Sequence, residues 1–215
     1  MKSIFHKKIT SEMLSPYFSP GAMTYIINAN LRQDSILGQL LHNEFHFDNN
    51  KLREGYAYIS QQQYLTIEFL TKGKPKKAWQ ALGRLMHTVQ DFYAHSNYIA
   101  LWVDSLQGKA PNIDDLTFND AAIVTHPVFH THKVYFPLDF VGIMPGMSKI
   151  VKKYLPSDSH AHMNLDSPES GDLFPWAYQA ASKRTYHEFI TLLDRIKQID
   201  HDLVNAFLDR EWHDN

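Results

Sequence analysis

Apolar residues recur along most of this chain at intervals of three and four positions, the spacing of one face of an α-helix. The clearest stripe lies in a helix predicted from Pro75 to about Leu106, after a break at Gly73. Its apolar positions are Trp79, Leu82, Met86, Val89, Phe92 and Tyr93. Alternating β-branched runs joined by Asn-Gly or Asp-Gly turns, the signal of strands and hairpins, are nearly absent. The pattern therefore predicts an all-α fold.

The remaining pattern divides the chain into further helices and one long irregular stretch. The other predicted helices are a short one capped by Thr10 or Ser11, and stretches over 21–40, 51–71, 171–199 and 200–212. Residues 107–170 are rich in Pro, Gly, Asp and His, and contain short helical pieces near 113–130 and 146–154. An irregular stretch of this length in a compact domain is usually functional or mobile. We predict five to seven helices around one core, with residues 1–215 forming a single domain.

Composition narrows the chemistry that this helical domain can support. The chain has 215 residues, of which 44% are hydrophobic and 20% charged, and these ordinary globular values exclude a disordered or low-complexity chain. It has no Cys, which excludes disulfide scaffolds, thiolate nucleophiles and Cys-ligated metals. It has 13 His, so any metal is held by His, Asp and Glu.

Charge and hydropathy add three expectations. The formal net charge of −2 gives no strong nucleic-acid footprint. No apolar run approaches the roughly 18 residues that a transmembrane helix needs. The first eight residues are too charged for the apolar core of a signal peptide, so the sequence predicts a cytoplasmic protein.

The sharpest local signal is a run of three possible metal ligands spaced four residues apart: His87, Asp91 and His95. At about 100° per residue they share one helical face, roughly 6 Å apart along the axis. A carboxylate between two imidazoles suits a divalent metal, zinc first. The alternative is a polar stripe in which each His makes one hydrogen bond. Other candidate ligands are dispersed: His6, Asp34, His42, His46, Asp48, His126, His130, His132, His160, His162 and Asp166.

The segment 82–97, which contains this run, resembles the helix motif of the heterokaryon-incompatibility-C-like proteins. Those proteins are similar to the superfamily of zinc-dependent phospholipases C and single-strand-specific zinc nucleases. The segment beginning at His6 looks like the first-helix histidine motif, and the spacing of Asp34 and His46 matches that superfamily. The segment 160–166 lies where the last ligands are expected. The resemblance implies a multi-helix bundle of the phospholipase C and zinc nuclease type.

The resemblance also implies a cluster of two or three zinc ions held by imidazoles and carboxylates. The implied ligands are Asp34, His46, His87 and Asp91 for the first ion, Asp91 and His6 for the second, and His95, Asp166 and His160 or His162 for the third. The implied reaction is phosphodiester hydrolysis, with Asp34 orienting or deprotonating the attacking water. Tyr93 and Asn97 are candidate pocket residues, although such aromatics more often belong to the core.

Three functions remain open at this point. The first is a zinc-dependent phosphodiesterase of the phospholipase C type, whose partner is a phospholipid substrate. The second is a single-strand nuclease, which needs base-stacking aromatics and a basic groove. The third is a non-catalytic, metal-stabilised interaction protein. Zinc content and activity on lecithin or single-stranded DNA separate the three.

Overall fold

The computed structural model describes residues 1–142 and 147–210. Across these two ranges it is built from α-helices and short 3-10 turns and contains no strand, which confirms the all-α prediction. The helices are α1 (Ser3–Leu14), α2 (Pro20–Leu31), α3 (Ile36–Leu41), α4 (Asn43–His46), α5 (Leu52–Thr71), α6 (Pro75–His95), α7 (Tyr98–Ser105), α8 (Ala121–Val124), α9 (Leu138–Gly142), α10 (Ser148–Lys152), α11 (His160–Met163), α12 (Phe174–Ile199) and α13 (His201–Leu208). The 3-10 turns are Arg32–Asp34, Asp48–Asn50 and Pro168–Ser170.

Helix α6 lies at the centre of the bundle, packed between α2, α5 and α12. It begins at Pro75, whose fixed φ and missing N–H suit the first helical position. From Ala78 onward nearly every side chain of α6 is buried, including the polar ones. A helix that carries polar side chains into a core must supply partners for them, because an unpaired buried polar group is costly. The polar face of α6 is therefore where a functional site is expected.

The single helix predicted from Pro75 to about Leu106 is two helices in the structure, separated at Ser96 and Asn97. Helix α6 ends at His95, because Ser96 takes an extended conformation and pairs with Thr131 in an isolated bridge. The Ser96 hydroxyl donates to the Phe92 carbonyl at 2.5 Å. This side-chain hydrogen bond competes with the backbone hydrogen bonds that would continue the helix. Helix α7 then starts at Tyr98.

Other helix boundaries in the structure also differ from the predicted ones. Helix α1 begins at Ser3, so Thr10 and Ser11 lie inside it rather than capping it. The stretch 21–40 is interrupted at Leu31 by the 3-10 turn Arg32–Asp34. Within 107–170 the described helical pieces are four or five residues long. Residue 146 of the predicted piece 146–154 and residues 211–212 of the predicted tail helix lie outside the described residues.

No described helix is both long and apolar enough to cross a membrane.

Replacing Trp79 by Phe is expected to lower the free energy of unfolding by about 2 kcal/mol. The buried Trp79 indole donates to the Phe207 carbonyl at 2.6 Å and so joins α6 to α13. Phe leaves that carbonyl unsatisfied, which costs about 1–3 kcal/mol. Urea denaturation measures the change, and the half-buried Trp176→Phe is the control, with a smaller expected loss. Equal losses in the two variants would contradict the role given to this hydrogen bond.

Candidate metal centre

Imidazoles and carboxylates from separate parts of the chain converge on the polar face of α6. The imidazoles belong to His6, His46, His87, His95, His132 and His160, and the carboxylates to Asp34, Asp48, Asp91 and Asp166. All are buried except Asp34, His160 and Asp166, which are partly exposed and form the open side of the cluster. Within the described residues these side chains form three sets close enough to hold a metal ion.

Helix α6 supplies three side chains of the cluster. His87, Asp91 and His95 lie four residues apart on one face, as their spacing predicts. The His87 Nε2 lies 3.0 Å from Asp91 Oδ2, and the His95 Nε2 lies 3.9 Å from Asp91 Oδ1. Asp91 therefore presents one oxygen towards each of its helical neighbours.

The first set, called here the His6 group, consists of His6, Asp34, His87 and Asp91. His6 comes from α1, and its Nε2 lies 3.1 Å from Asp91 Oδ1. Asp34 comes from the 3-10 turn after α2, and its Oδ1 lies 3.7 Å from the His87 Nε2. Tetrahedral zinc with bonds of about 2.0–2.1 Å places its ligand atoms roughly 3.4 Å apart. Three distances within the His6 group, 3.0, 3.1 and 3.7 Å, lie near that value.

His46 joins the same centre from the end of α4. Its Nδ1 lies 2.8 Å from Asp91 Oδ2 and 3.1 Å from the His87 Nε2. The next residue, Phe47, has a left-handed backbone (φ 59°), which turns the chain and buries the Phe47 ring against Phe92. Because of this turn, the His46 side chain lies in the cluster and the Phe47 side chain lies in the core.

The second set, called here the His160 group, consists of His95, His160 and Asp166. Asp166 places Oδ1 3.2 Å from the His95 Nε2 and Oδ2 3.1 Å from the His160 Nε2. The sequence left His160 and His162 as alternatives, and the structure brings only His160 to the cluster. The exposed His162 donates from Nε2 to the Lys152 carbonyl at 2.8 Å.

Asp48 and His132, which the sequence offered only as dispersed candidate ligands, form the third set together with His95. Asp48 Oδ1 lies 2.5 Å from the His132 Nε2 and 3.2 Å from the His95 Nδ1. No helical spacing connects these residues, because His132 lies in the irregular stretch and meets Asp48 only through tertiary folding. The available signal was the run His46-Phe-Asp48, in which two possible ligands flank an aromatic residue.

The two predicted pocket residues differ, because Tyr93 is buried in the core whereas Asn97 lines a pocket of about 280 Å³. The buried Tyr93 donates its hydroxyl to the Phe118 carbonyl, and its ring packs against Tyr98 in the core. The Asn97 side chain donates to the Val128 carbonyl at 2.8 Å and accepts from the His130 N–H at 3.0 Å. Asn97 thus fixes the chain after α8 to the start of α7.

The carboxylates of the cluster attract cations strongly. The Met1 ammonium lies between the two groups, 2.5 Å from Asp91 Oδ1, 3.0 Å from Asp166 Oδ1 and 3.3 Å from the His95 Nε2. Burial lowers the pKa of this amine, but Asp166 and Asp91 outweigh burial and raise the pKa to about 11. Burial alone raises the pKa of Asp91, yet the ammonium, His95 and His87 hold it well below its usual value.

The histidines divide into neutral and charged rings. Burial, aided by nearby imidazoles, lowers the pKa of His87 to about 4 and leaves the ring neutral near pH 7. Burial also lowers the pKa of His132 to about 4. Burial opposes the charge of His95, but Asp91 and other carboxylates prevail and raise its pKa to about 10. A metal ion binds deprotonated ligands, so a metal at the His160 group takes the place of the His95 Nε2 proton.

Buried amides determine which nitrogen faces the cluster in two of the rings. The His6 Nδ1 donates to Gln90 Oε1 at 2.7 Å, and the His87 Nδ1 donates to Asn30 Oδ1 at 3.2 Å. The Gln90 amide nitrogen in turn donates to the hydroxyls of Thr10 and Thr185, both at 3.1 Å, which fixes its orientation. With the proton on Nδ1, each neutral ring directs the lone pair of Nε2 at Asp91.

A lone pair facing a carboxylate at about 3 Å is repulsive unless a cation lies between them. The His6 Nε2 is fully buried and makes no hydrogen bond with any described residue. A divalent ion relieves both imidazole–carboxylate contacts of Asp91 at once. The residues present therefore fit a metal ion.

The comparisons with known proteins identify a different family from the one that the motifs resemble. Residues 2–125 match the model of the VWA7 N-terminal domain. The von Willebrand factor A domain-containing protein 7 of Homo sapiens is 29% identical over 100 residues, which are 43% of this chain and 11% of that protein. The Mus musculus protein of the same name is 28% identical over 101 residues, again 43% of this chain and 11% of the relative. No solved structure matches the chain.

These matches correct the interpretation drawn from the ligand motifs. The assignment to the zinc-dependent phospholipase C and nuclease superfamily was wrong, because both the family model and the curated relatives point to VWA7. The predicted hydrolase activity on phospholipid or single-stranded DNA, and the catalytic role of Asp34, rested on that assignment and are withdrawn with it. The matched residues run from α1 through α8 and make up more than half of the sequence, so the chain belongs to the VWA7 N-terminal domain family.

Proposed function

We propose that this domain binds zinc at the His6 and His160 groups and that the ions serve as a non-catalytic structural centre. The observation that carries the proposal is the arrangement around Asp91. Gln90 and Asn30 keep a proton on the far nitrogen of His6 and His87, and both near nitrogens face the same carboxylate. Carbonyl acceptors behind metal-binding imidazoles are the usual means of fixing ring orientation at metal sites.

The ligand chemistry favours zinc over calcium and magnesium. Each group mixes imidazole nitrogen with carboxylate oxygen, a donor set that suits zinc. Calcium and magnesium prefer sites built from oxygen alone.

The position of the ligands gives the ions a structural role. The His6 group joins α1 and the turn Arg32–Asp34 to α6. The His160 group joins the segment 160–166 to the end of the same helix. A metal that binds only the folded arrangement adds its binding free energy to folding. The centre thus fastens α1, the turn Arg32–Asp34 and the segment 160–166 to the core. The cytoplasmic location and the single domain over residues 1–215 stay predictions.

The matched pair His160→Ala and His162→Ala tests the centre. The full chain is saturated with zinc, dialysed and analysed by mass spectrometry of the metal. The unmodified protein is expected to hold two zinc ions, His160→Ala about one, and His162→Ala the same number as the unmodified protein. The two histidines lie two positions apart in α11, so the comparison separates ligation from general disturbance of that helix.

Less than one zinc ion in the unmodified chain would contradict the proposal altogether. Equal losses in the two variants would contradict the assignment of His160 as the ligand.

A further inference from the structure

Asp48 and His132 are fully or nearly fully buried, and they form the third set of possible ligands with His95, outside the His6 group and the His160 group. Both contact His95. A buried carboxylate held against two imidazoles is an expensive arrangement unless it serves a purpose, because burial disfavours its charge. The question is what this pair does for His95.

The contacts of His95 show which of its nitrogens keeps a proton. The Nδ1 lies 3.0 Å from the His46 carbonyl and 3.2 Å from Asp48 Oδ1. Both of these partners only accept hydrogen bonds, so Nδ1 carries hydrogen. The Nε2, directed at Asp166, is then the nitrogen left to bind a metal.

His132 holds both the ring and the carboxylate in place. Its ring stacks on that of His95, with centroids 4.3 Å apart and planes 28° from parallel. Its Nε2 donates to Asp48 at 2.5 Å. The backbone of His132 donates to the His95 carbonyl at 2.9 Å and accepts from the Asn49 N–H at 2.8 Å. One residue therefore connects the end of α6 with the Asp48 turn.

The turn that carries Asp48 is strained. Phe47, Asn49 and Asn50 all have φ between 55° and 59°, a left-handed backbone that is unfavourable for residues other than glycine. Asn49 and Asn50 offset this cost with side-chain oxygens that accept from the Val134 and Thr131 N–H groups at 3.0 and 2.8 Å. Such strain clusters at functional sites, and here it aims Asp48 at His95.

We infer that Asp48 and His132 are positioning residues, which hold His95 with Nε2 directed into the His160 group before a metal binds. The inference rests on the proposed zinc centre. Carboxylates behind a metal-binding imidazole fix the ring and raise its basicity, and their loss typically costs about 10–100-fold in metal affinity. Asp48 has that place relative to His95, and His132 keeps Asp48 there.

Asp48→Asn tests the inference through zinc affinity. Competition with a chelator resolves the affinities of the two groups, and His160→Ala shows which affinity belongs to the His160 group. In Asp48→Asn the affinity of the His160 group is expected to fall about 10–100-fold while that of the His6 group is kept. Asp158→Asn is the matched control, because Asp158 pairs with Lys133 and Tyr135 at the surface and is expected to change neither affinity.

A second readout follows His95 itself in the metal-free chain. With ¹⁵N-labelled histidine, the His95 Nδ1–H is expected to exchange slowly with water in the unmodified protein and faster in Asp48→Asn. If Asp48→Asn does not fold, His132→Phe keeps the stacked ring, removes the hydrogen bond to Asp48 and is expected to show the same changes more weakly.

Unchanged exchange together with unchanged affinity would overturn the inference and would show that the His46 carbonyl alone positions the ring. If the unmodified chain binds no zinc, the proposed function fails, and the exchange measurement still decides whether Asp48 positions His95.

Discussion

Asp91→Asn is expected to abolish zinc binding at the His6 group and to remove about 4 kcal/mol of zinc-dependent stability. Each carboxylate oxygen of Asp91 faces an imidazole nitrogen, with Oδ1 3.1 Å from His6 and Oδ2 3.0 Å from His87. Asn keeps the shape but loses the charge and turns an N–H₂ group towards one of the rings. Binding at a single site adds about 4 kcal/mol when free zinc is 1,000 times Kd.

The measurement is the rise in Tm on adding zinc, relative to the same protein in a chelator. For domains of 150–250 residues, 1 kcal/mol corresponds to about 2–4 °C, so loss of this group is expected to reduce the rise by roughly 10 °C. Comparing each variant with its own metal-free state removes the effect of the substitution on the empty cluster. Asp194→Asn, at an exposed position of α12, is the control. If zinc raised the Tm of Asp91→Asn as much as that of the control, Asp91 would not be a ligand of the His6 group.

The sequence predicted those parts of the molecule that depend on local spacing. The apolar stripe of α6 and the ligand run at His87, Asp91 and His95 both follow from helical periodicity, and the structure shows both on the expected faces. The end of α6 at Ser96 depends instead on pairing with Thr131, which no local pattern reveals.

The sequence did not predict that Asp48 and His132 join the cluster, again because their position depends on tertiary contacts. Asp48 and His132 are 84 positions apart and meet through a strained turn and an irregular segment. The choice between His160 and His162 likewise depends on the tertiary position of α11, since both lie on that short helix.

The family was misassigned because the resemblance rested on a few ligand positions. Residues four apart on any helix present their side chains to one point, so such a run recurs wherever a buried helix carries polar groups. The family model covers residues 2–125, including the core positions of α1, α2, α5 and α6. Agreement over that length constrains how these four helices pack together, whereas the ligand run constrains one face of one helix.

Gly83→Ala is expected to lower the free energy of unfolding by about 3 kcal/mol, because α2 and α6 pack closest there. A Cβ at Gly83 would lie 2.2 Å from the Ile26 carbonyl oxygen and 2.9 Å from the Ala29 Cβ. The Ile26 atom belongs to the backbone of α2, so the helices must separate. Overpacking of this kind typically costs about 1–3 kcal/mol, and occasionally more, despite the higher helix propensity of Ala.

The same substitution at Gly21 in α2 is the control, because a Cβ there would meet its nearest neighbours at 3.6 and 3.7 Å, which is ordinary contact. Urea denaturation is expected to show Gly21→Ala within about 1 kcal/mol of the unmodified protein. Gly83→Ala is also expected to weaken zinc binding at the His6 group, since moving α2 displaces Asn30, whose oxygen accepts from the His87 Nδ1. A Gly83→Ala protein as stable as Gly21→Ala would show that α2 does not pack on α6 at this distance. A destabilised variant with unchanged zinc affinity would instead show that the packing of α2 on α6 does not control the orientation of His87.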